Sequence, residues 1–379
     1  MGDPVTPRHF PKATHQAILI SGQNAAELIG ASIPGFKPRV LHALVTPQMR
    51  SRAAHFRSFW EGRGGIWKTH ELQSTNPEET TAALDEIREF CGAESLAVNI
   101  TGGTKLMSIA AHLWATNAGI PDFYIDTARQ LLLYPGQGLA GDPMPDVLDH
   151  ASLLAVNGYQ IQSEERGAPH QSNITASCEI VSIIGRSPVG AQAARVLNQL
   201  ASQSRELAAN LPEAPFQELK NLLAVCQKYG KTRRAGTNVF FENTDALNWC
   251  KGAWLEQYVQ YILARLQDKG EIKSWAVNTR VFSKGSKNEL DAIFTANNKL
   301  FLIECKTGNL ADKADKRSDI FYKVKYLTDN IGGSVAGGMI CSVDPFNETS
   351  DRATNASVEI VCGKDLINLE EEIKKWIRK

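Results

Sequence analysis

Residues 95–107 read Ser-Leu-Ala-Val-Asn-Ile-Thr-Gly-Gly-Thr-Lys-Leu-Met, an apolar strand that passes through two glycines into a helix. Glycines let an anion approach the backbone closely, a helix N-terminus offers free N–H groups, and Lys105 adds positive charge. Neither GxxxxGK[ST] nor GxGxxG is present, which argues against ATP hydrolysis and dinucleotide chemistry. Taken alone, residues 101–105 would indicate only a tight turn with a helix cap.

Strand-like and helix-like segments alternate on both sides of this stretch. Strands are predicted at residues 16–20, 39–45, 65–67, 95–100, 123–125 and 131–133, with amphipathic helices between them. This alternation predicts a parallel sheet with helices on both faces. A second loop, Ser21-Gly-Gln-Asn24, follows the first strand. Both loops should therefore leave the carboxyl ends of parallel strands, where ligands bind in such sheets.

Glycine and proline crowd residues 135–145 and indicate a boundary. We predict a first α/β domain at residues 1–150, a connector with helices at 151–236, and a second α/β domain at 237–379. Within the connector, residues 150–186 are predicted as irregular strands and 188–230 as helical. The last domain is predicted as a helix at 246–266, a three-strand meander, a helix and a buried strand.

Asp291, Glu304 and Lys306 lie on two successive predicted strands joined by a tight Asn-Asn turn. Side chains alternate along a strand, so Glu304 and Lys306 share a face, and the hairpin partner can bring Asp291 beside Glu304. Two carboxylates hold Mg²⁺ or Mn²⁺ well, and a lysine can orient the attacking water. The set predicts metal-assisted phosphodiester hydrolysis.

The ExK pattern by itself is common and often marks an exposed ion pair on a hairpin. Here the apolar flank Phe301-Leu-Ile303 and the acid one strand earlier favour catalysis. Glu256 on the preceding helix can supply a further carboxylate for catalysis and metal binding. We leave Glu289 out of the set, on the expectation that it faces away from Asp291.

Composition limits the remaining possibilities. The 41 basic and 41 acidic side chains cancel, so nucleic acid must be met by local clusters of charge. All eight histidines lie at or before His170, which excludes imidazole chemistry from the second half. Scattered cysteines without CxxC, and the absence of a signal or membrane-spanning run, predict a cytoplasmic protein that does not enter a membrane.

The Asp291, Glu304, Lys306 run resembles the PD-(D/E)xK nuclease superfamily, with Glu256 matching its helix acid. Leu290 replaces the formal proline, a frequent departure in that family. The resemblance covers about residues 240–345. It implies a restriction-endonuclease-like domain that uses Mg²⁺ or Mn²⁺, with the Cys305 carbonyl as an additional metal ligand.

The string from Asn99 to Met107, together with the first loop, resembles the CARF domain of type III CRISPR ancillary proteins, over roughly residues 1–150. The resemblance implies a Rossmann-like sensor that binds a cyclic oligoadenylate across a two-fold homodimer. The ligand contacts that we predict all lie on these two loops. They are Ser21, Gln23, Asn24, Thr101, Gly102, Gly103, Thr104 and Lys105.

Joined in one chain, the two resemblances imply a nuclease of type III CRISPR antiviral defence, activated by cyclic tetra-adenylate and cutting RNA, DNA or both without sequence specificity. Two alternatives stay open at this point. One is a CARF-type regulator that binds nucleic acid without cleaving it. The other is a repair or restriction nuclease that works independently of a nucleotide ligand.

Overall fold

The computed structural model describes residues 6–22, 24–73, 76–138, 141–308, 310, 314–332, 336–345 and 358–379. Within these ranges the strands form sheets of seven, three and six strands. No helix in the described part of the chain has the length and apolar character that a bilayer crossing requires.

The N-terminal sheet has seven strands in the order β3-β2-β1-β4-β5-β6-β7. They are β1 His15–Leu19, β2 Val40–Val45, β3 Ile66–Glu71, β4 Leu96–Asn99, β5 Asp122–Asp126, β6 Leu131–Leu133 and β7 Gly141–Pro143. The first five are parallel, as predicted, while β6 and β7 pair antiparallel because short connections return the chain beside β5.

Helices cover both faces of this sheet, again as predicted. They are α1 Ala25–Ser32, α2 Arg50–Gly62, α3 Pro77–Cys91 and α4 Lys105–Ala118. An apolar core lies on each face of the sheet, and successive residues of β1 point into different cores. Ile18 packs in the cluster with α1 and α2, and Leu19 packs in the cluster with α3 and α4. Both loops predicted to bind a ligand consequently leave the same edge of the sheet.

The middle of the chain differs from the prediction. It contains α5 His150–Val156, β8 Gln160–Glu165, α6 Gln171–Arg186, α7 Gly190–Gln203, β9 Ala208–Asn210, α8 Gln217–Lys228, β10 Thr232–Ala235 and β11 Asn238–Phe241. Residues 150–186 are thus mainly helical. The buried residues Ile174, Val181 and Ile184 recur at helical spacing. Strand β8 pairs with the C-terminal sheet, so part of the predicted connector is built into the second domain.

The C-terminal sheet has the order β16-β15-β14-β13-β12-β8. Its elements after the connector are α9 Thr244–Asn248, α10 Trp254–Asp268, β12 Ser274–Ser283, β13 Ser286–Ala296, β14 Lys299–Lys306, α11 Ala314–Ile331, β15 Ala336–Ser342, β16 Val358–Cys362 and α12 Leu369–Ile377. The predicted meander is present, with β15 and β16 added parallel to β14. The predicted helix at 246–266 is divided by a π-helical turn at Trp249–Ala253.

One of the apolar clusters contains residues from both α/β units. Leu28 and Leu41 of the N-terminal unit belong to the same buried cluster as Ile293 and Leu302 of the β13–β14 hairpin. The turn of that hairpin is held from outside its own sheet. Asp146 accepts hydrogen bonds from the backbone N–H groups of Asn297 (3.1 Å) and Asn298 (2.9 Å). The two units are therefore connected at the hairpin that carries the predicted catalytic acids.

Candidate active site and sensor cavity

Asp291 and Glu304 come together where strands β13 and β14 begin to separate. The last paired residues toward this end are Ala292 and Ile303, one position from each acid. Beyond them the backbone N–H of Cys305 donates to Asp291 Oδ2 at 2.8 Å. The carboxylate of Asp291 thus accepts the hydrogen bond that a strand carbonyl would otherwise accept. This bond holds the Asp291 side chain against β14.

Lys306 lies between the two acids. Its Nζ is 2.7 Å from Glu304 Oε1 and 3.5 Å from Asp291 Oδ2, and it donates to the Cys305 carbonyl at 2.9 Å. A second amine, Lys323 on α11, is 2.8 Å from the same Glu304 oxygen. The structure therefore brings Asp291, Glu304 and Lys306 to one point, on one side of the sheet.

Burial and mutual repulsion set the charges of this cluster. Burial raises the pKa of Asp291, and the negative charge of Glu304 raises it further, against the cations of Lys306 and Lys323. Burial works to lower the pKa of Lys306, but Asp291 and Glu304 outweigh it and the pKa is raised. The buried Glu304 and the half-buried Asp291, with a retained cation between them, form a site that favours positive charge.

Glu256 approaches the cluster from the first turn of α10. Gly252, at φ 148°, lets the preceding turn pass so close to Thr307 that a Cβ at residue 252 would overlap the Thr307 hydroxyl. Burial raises the pKa of Glu256 to about 7, and the charge of Asp291 is the next largest cause. The glycine therefore explains why the helix is divided and how its acid reaches the site.

Our reason for leaving out Glu289 is wrong. Residues 289 and 291 both lie within β13, and side chains two positions apart on a strand alternate to the same side. The charge of Glu289 contributes to the raised pKa of Glu256, so it acts on this region. Correct application of strand alternation to the sequence would have identified it.

The residues present suit a hard divalent cation. Asp291, Glu304 and the Cys305 carbonyl place three oxygen donors around the amine of Lys306, and oxygen is the donor that Mg²⁺ and Mn²⁺ prefer. Among the described residues, the carboxylates of Glu256, Asp291 and Glu304 do not form a group lying within 4.8 Å of one another. The donor set on the hairpin thus fits a metal, although the three carboxylates are not drawn together as closely as ligands of one ion.

The two N-terminal loops line a cavity of about 460 Å³ at the carboxyl edge of the first sheet. Of the predicted ligand contacts, Ser21, Thr101, Gly102 and Gly103 lie on its wall. The hydroxyl of Thr101 is already engaged, since it donates to Asn99 Oδ1 at 2.6 Å and accepts from the Ile125 N–H at 2.8 Å. The backbone N–H of Thr101 is engaged as well, since it donates to the same Asn99 oxygen at 3.0 Å, so Thr101 shapes the loop.

Three other predicted contacts do not line the cavity. Asn24 is fully buried, and its amide donates to the carbonyl of Val156 at 3.1 Å, so it holds the fold together. Thr104 caps α4 by accepting from the Met107 N–H at 3.3 Å. Lys105 is exposed at the start of α4. Gln23 lies outside the described residues.

Glu27 and Tyr124 also line the cavity, and sequence reasoning missed both. Glu27 is fully buried; it accepts from the Ser21 hydroxyl at 3.1 Å through one oxygen, while the other has no hydrogen-bond partner among the described residues. Burial raises its pKa to about 8, so it is protonated at neutral pH. Tyr124, 39% exposed, lies within strand β5, which ends at the same edge of the sheet.

Comparisons with known proteins follow the same division of the chain. Residues 54–135 match the model of the Card1 CARF domain, and residues 243–379 match that of the Card1-like endonuclease domain. The chain is a CARF domain joined to a Card1-like endonuclease domain. Both predicted resemblances are confirmed. The catalytic residues and the bounds at 150 and 236 remain predictions.

Solved structures share this fold over nearly the whole length. Protein VC1899 from Vibrio cholerae is 20% identical with a TM-score of 0.83, covering 96% of this chain and 98% of its own. Can2 from Sulfobacillus thermosulfidooxidans, solved with cyclic tetra-adenylate, is 22% identical with a TM-score of 0.79, covering 97% and 98%. At these identities the likeness shows the fold alone. Comparison with curated proteins gave no match.

A type III CRISPR defence DNA nuclease activated by cyclic oligoadenylate is also similar. It is 19% identical with a TM-score of 0.58, and the match covers 90% of this chain and 47% of that one. The present chain corresponds to about half of that larger nuclease.

The CARF domain exposes an apolar stripe on α4, beside the sensor cavity. Leu106, Ile109 and Leu113 are each 56% exposed. Their spacing places all three on one side of the helix, next to the Thr-Gly-Gly-Thr loop that precedes it. Contiguous apolar surface of this kind is typical of a protein interface.

Proposed function

We propose that this chain is a metal-dependent nuclease activated by a cyclic oligoadenylate, specifically cyclic tetra-adenylate, and that it cleaves RNA, DNA or both in type III CRISPR antiviral defence. The observation that carries the proposal is the convergence of Asp291, Glu304 and Lys306 in a chain that also has a CARF domain. The sensor cavity and the oxygen donor set support its two halves.

Asp291, Glu304 and the Cys305 carbonyl are assigned to hold Mg²⁺ or Mn²⁺. A bound ion of this kind polarises the scissile phosphate and lowers the pKa of a water molecule. Lys306, kept cationic by the two acids, orients the attacking water and stabilises charge on the phosphate oxygens. Glu256, with its pKa near 7, accepts the proton released from that water.

The surface beside the site suits a nucleic-acid strand. On α11, Lys316 and Lys323 are exposed, and Tyr322 and Tyr326 are 58% and 65% exposed. Lysines neutralise phosphates, and exposed tyrosines stack on unpaired bases without sequence preference. We therefore propose that α11 binds substrate as a single strand.

We further propose that the CARF domain forms a homodimer through the stripe Leu106, Ile109 and Leu113. A two-fold axis beside the cavity would bring two Thr-Gly-Gly-Thr loops around one cyclic ligand, matching the symmetry of a tetranucleotide. The ligand activates the enzyme only to the extent that it binds one dimer arrangement better than another.

The path for this activation runs through the hairpin turn. Asn298 accepts from the backbone N–H groups of Val147 (2.8 Å) and Leu148 (3.0 Å) and donates to the Pro145 carbonyl at 2.9 Å. The other end of the same hairpin carries Asp291 and Glu304. A movement of residues 145–148 is thus transmitted along two paired strands to the catalytic acids.

The full-length protein tests the proposal directly. With Mn²⁺ and single-stranded RNA and DNA substrates, cleavage should require cyclic tetra-adenylate, should be absent with linear tetra-adenylate, and should stop with EDTA. Cleavage that is equal with and without the cyclic nucleotide would overturn the sensor assignment. Cleavage that persists in EDTA would overturn the metal assignment.

The dimer has its own test. Leu106→Glu together with Ile109→Glu should give a monomer by light scattering and should lose activation by the nucleotide. The matched control is Ile367→Glu, an exposed residue remote from the stripe (41% exposed). A double variant that remains dimeric and active would place the interface elsewhere.

A further inference from the structure

Three histidines form a continuous line across β1, β2 and β3 of the CARF domain. His15 Nδ1 lies 2.9 Å from His42 Nε2, and His42 Nδ1 lies 3.1 Å from His70 Nε2. His15 and His42 are 3% and 0% exposed. His15 begins β1, so the line starts at the edge of the sheet away from the ligand loops.

A cysteine thiol meets the same two rings. Cys91, the last residue of α3, is 6% exposed. One ligand atom each from His15, His42 and Cys91 lies within 4.8 Å of the others. A chain of neutral imidazoles alone accounts for the ring positions. The thiol adds a third possible metal donor where the two rings meet.

The remaining ring nitrogens have the partners that metal-bound histidines usually have. His15 Nε2 lies 3.0 Å from Glu94 Oε2, and His42 Nδ1 points to His70. Gly92, at φ 56°, ends α3 and turns the chain back so that Glu94 reaches His15. A carboxylate or another acceptor on the second nitrogen fixes the orientation of a metal-binding imidazole and raises its basicity.

The separations also suit zinc. In a tetrahedral site with Zn–N of about 2.0–2.1 Å, two coordinated nitrogens lie about 3.3 Å apart. The facing nitrogens of His15 and His42 are within 0.4 Å of that value before any metal enters. Imidazole nitrogen with thiolate sulfur is a donor set typical of Zn²⁺ and unlike the all-oxygen set of Asp291 and Glu304.

We propose that His15 Nδ1, His42 Nε2 and Cys91 Sγ form a zinc site in the CARF domain, with water as the fourth ligand. The site joins β1 and β2 to the end of α3. It is separate from both the sensor cavity and the nuclease centre. Its role is to fix α3 on the sheet, independently of the proposed function of either site.

The test measures metal in the untagged full-length protein. The Glu304→Ala background removes one oxygen ligand of the nuclease centre, so metal bound there does not interfere. One equivalent of zinc per chain is expected by elemental analysis, falling to a trace in Cys91→Ser and unchanged in Cys178→Ser, a half-buried cysteine elsewhere. Glu94→Gln should weaken zinc binding about 10- to 100-fold.

Cobalt gives a second measurement that does not depend on the variants folding. Co²⁺ added to the metal-free protein should produce a thiolate-to-cobalt charge-transfer band together with the visible bands of a tetrahedral site. Absence of zinc as purified, and of a charge-transfer band with Co²⁺, would overturn the proposal and leave a chain of neutral imidazoles.

Discussion

The proposed nuclease centre and the sensor cavity differ in the groups that line them. At the centre, the buried Glu304, the half-buried Asp291 and two lysines lie close together, and Lys306 occupies the space among the oxygen donors. The cavity wall consists largely of loop backbone and small residues, with one buried, protonated acid, Glu27. The first depends on charged side chains. The second depends on space and backbone shape, so different substitutions should damage each.

The largest expected effect is at the charged centre. Glu304→Ala removes a carboxylate that we propose as a metal ligand, worth several kcal/mol of transition-state stabilisation, so cleavage should fall on the order of 10³-fold. Binding of cyclic tetra-adenylate should be unchanged, because the cavity contains no part of this cluster. The control is Glu359→Gln, an acid on β16 paired with Lys379. Single-turnover cleavage and calorimetry measure the two properties, and cleavage at the wild-type rate would contradict the assignment.

A substitution in the cavity should do the reverse. A Cβ at Gly102 would overlap the Leu19 carbonyl and the Glu27 carboxyl, and such overpacking costs about 1–3 kcal/mol. Gly102→Ala should therefore weaken nucleotide binding about 10- to 100-fold while leaving Mn²⁺ binding intact. Gly62→Ala, where a Cβ meets nothing within 4 Å, is the control. Equal affinity in both variants would show that the loop has another role.

A third substitution breaks the connection between the two regions. Asn298→Gly keeps the left-handed backbone of the turn but removes the amide that binds residues 145, 147 and 148. Nucleotide affinity should hold while the activation of cleavage falls about tenfold, within the usual range of coupling energies. The control is Asn297→Gly at the neighbouring residue, whose φ angle is also positive, and this variant should retain activation. The two variants behaving alike would exclude the turn as the path.

The last prediction concerns the pH dependence of stability, which leaves catalysis aside. The unfolded chain ionises Glu27 near pH 4.5, whereas the folded chain retains the proton until about pH 8. Unfolding therefore becomes easier as pH rises between these values, by at most about 1.4 kcal/mol per unit, and no further above them. Glu27→Gln lacks this contribution, so its stability advantage should grow from about pH 5 to pH 8 in urea unfolding. Parallel curves for the two proteins would mean that Glu27 is ionised in the fold.

The two regions also differ in how much of their arrangement could be predicted from the sequence. Asp291, Glu304 and Lys306 converge because strand alternation and a tight turn are local rules, readable from the spacing of residues. Glu27 and Tyr124 approach the cavity only after α1 and β5 are placed against the loops, which no local pattern specifies. Asn24 matched the loop pattern, but its side chain is turned into the fold, where it donates to the carbonyl of Val156, a residue distant in sequence.

The connector was predicted least well, for a related reason. Residues 160–165 form a strand, as predicted, but they pair with β12 and so belong to the sheet of the second domain, which no pattern within these residues specifies. Likewise, the division of the helix at Gly252 follows from its contact with Thr307, more than 50 residues later in the chain. Long-range packing decided both features.

Anomalous diffraction from crystals grown with cyclic tetra-adenylate and Mn²⁺ tests the central claim most directly. We predict a manganese peak bounded by the carboxylates of Asp291 and Glu304 and the Cys305 carbonyl, with the Lys306 amine displaced from that carbonyl. A map with no manganese at this point, and Lys306 still bonded to the Cys305 carbonyl, would contradict the account.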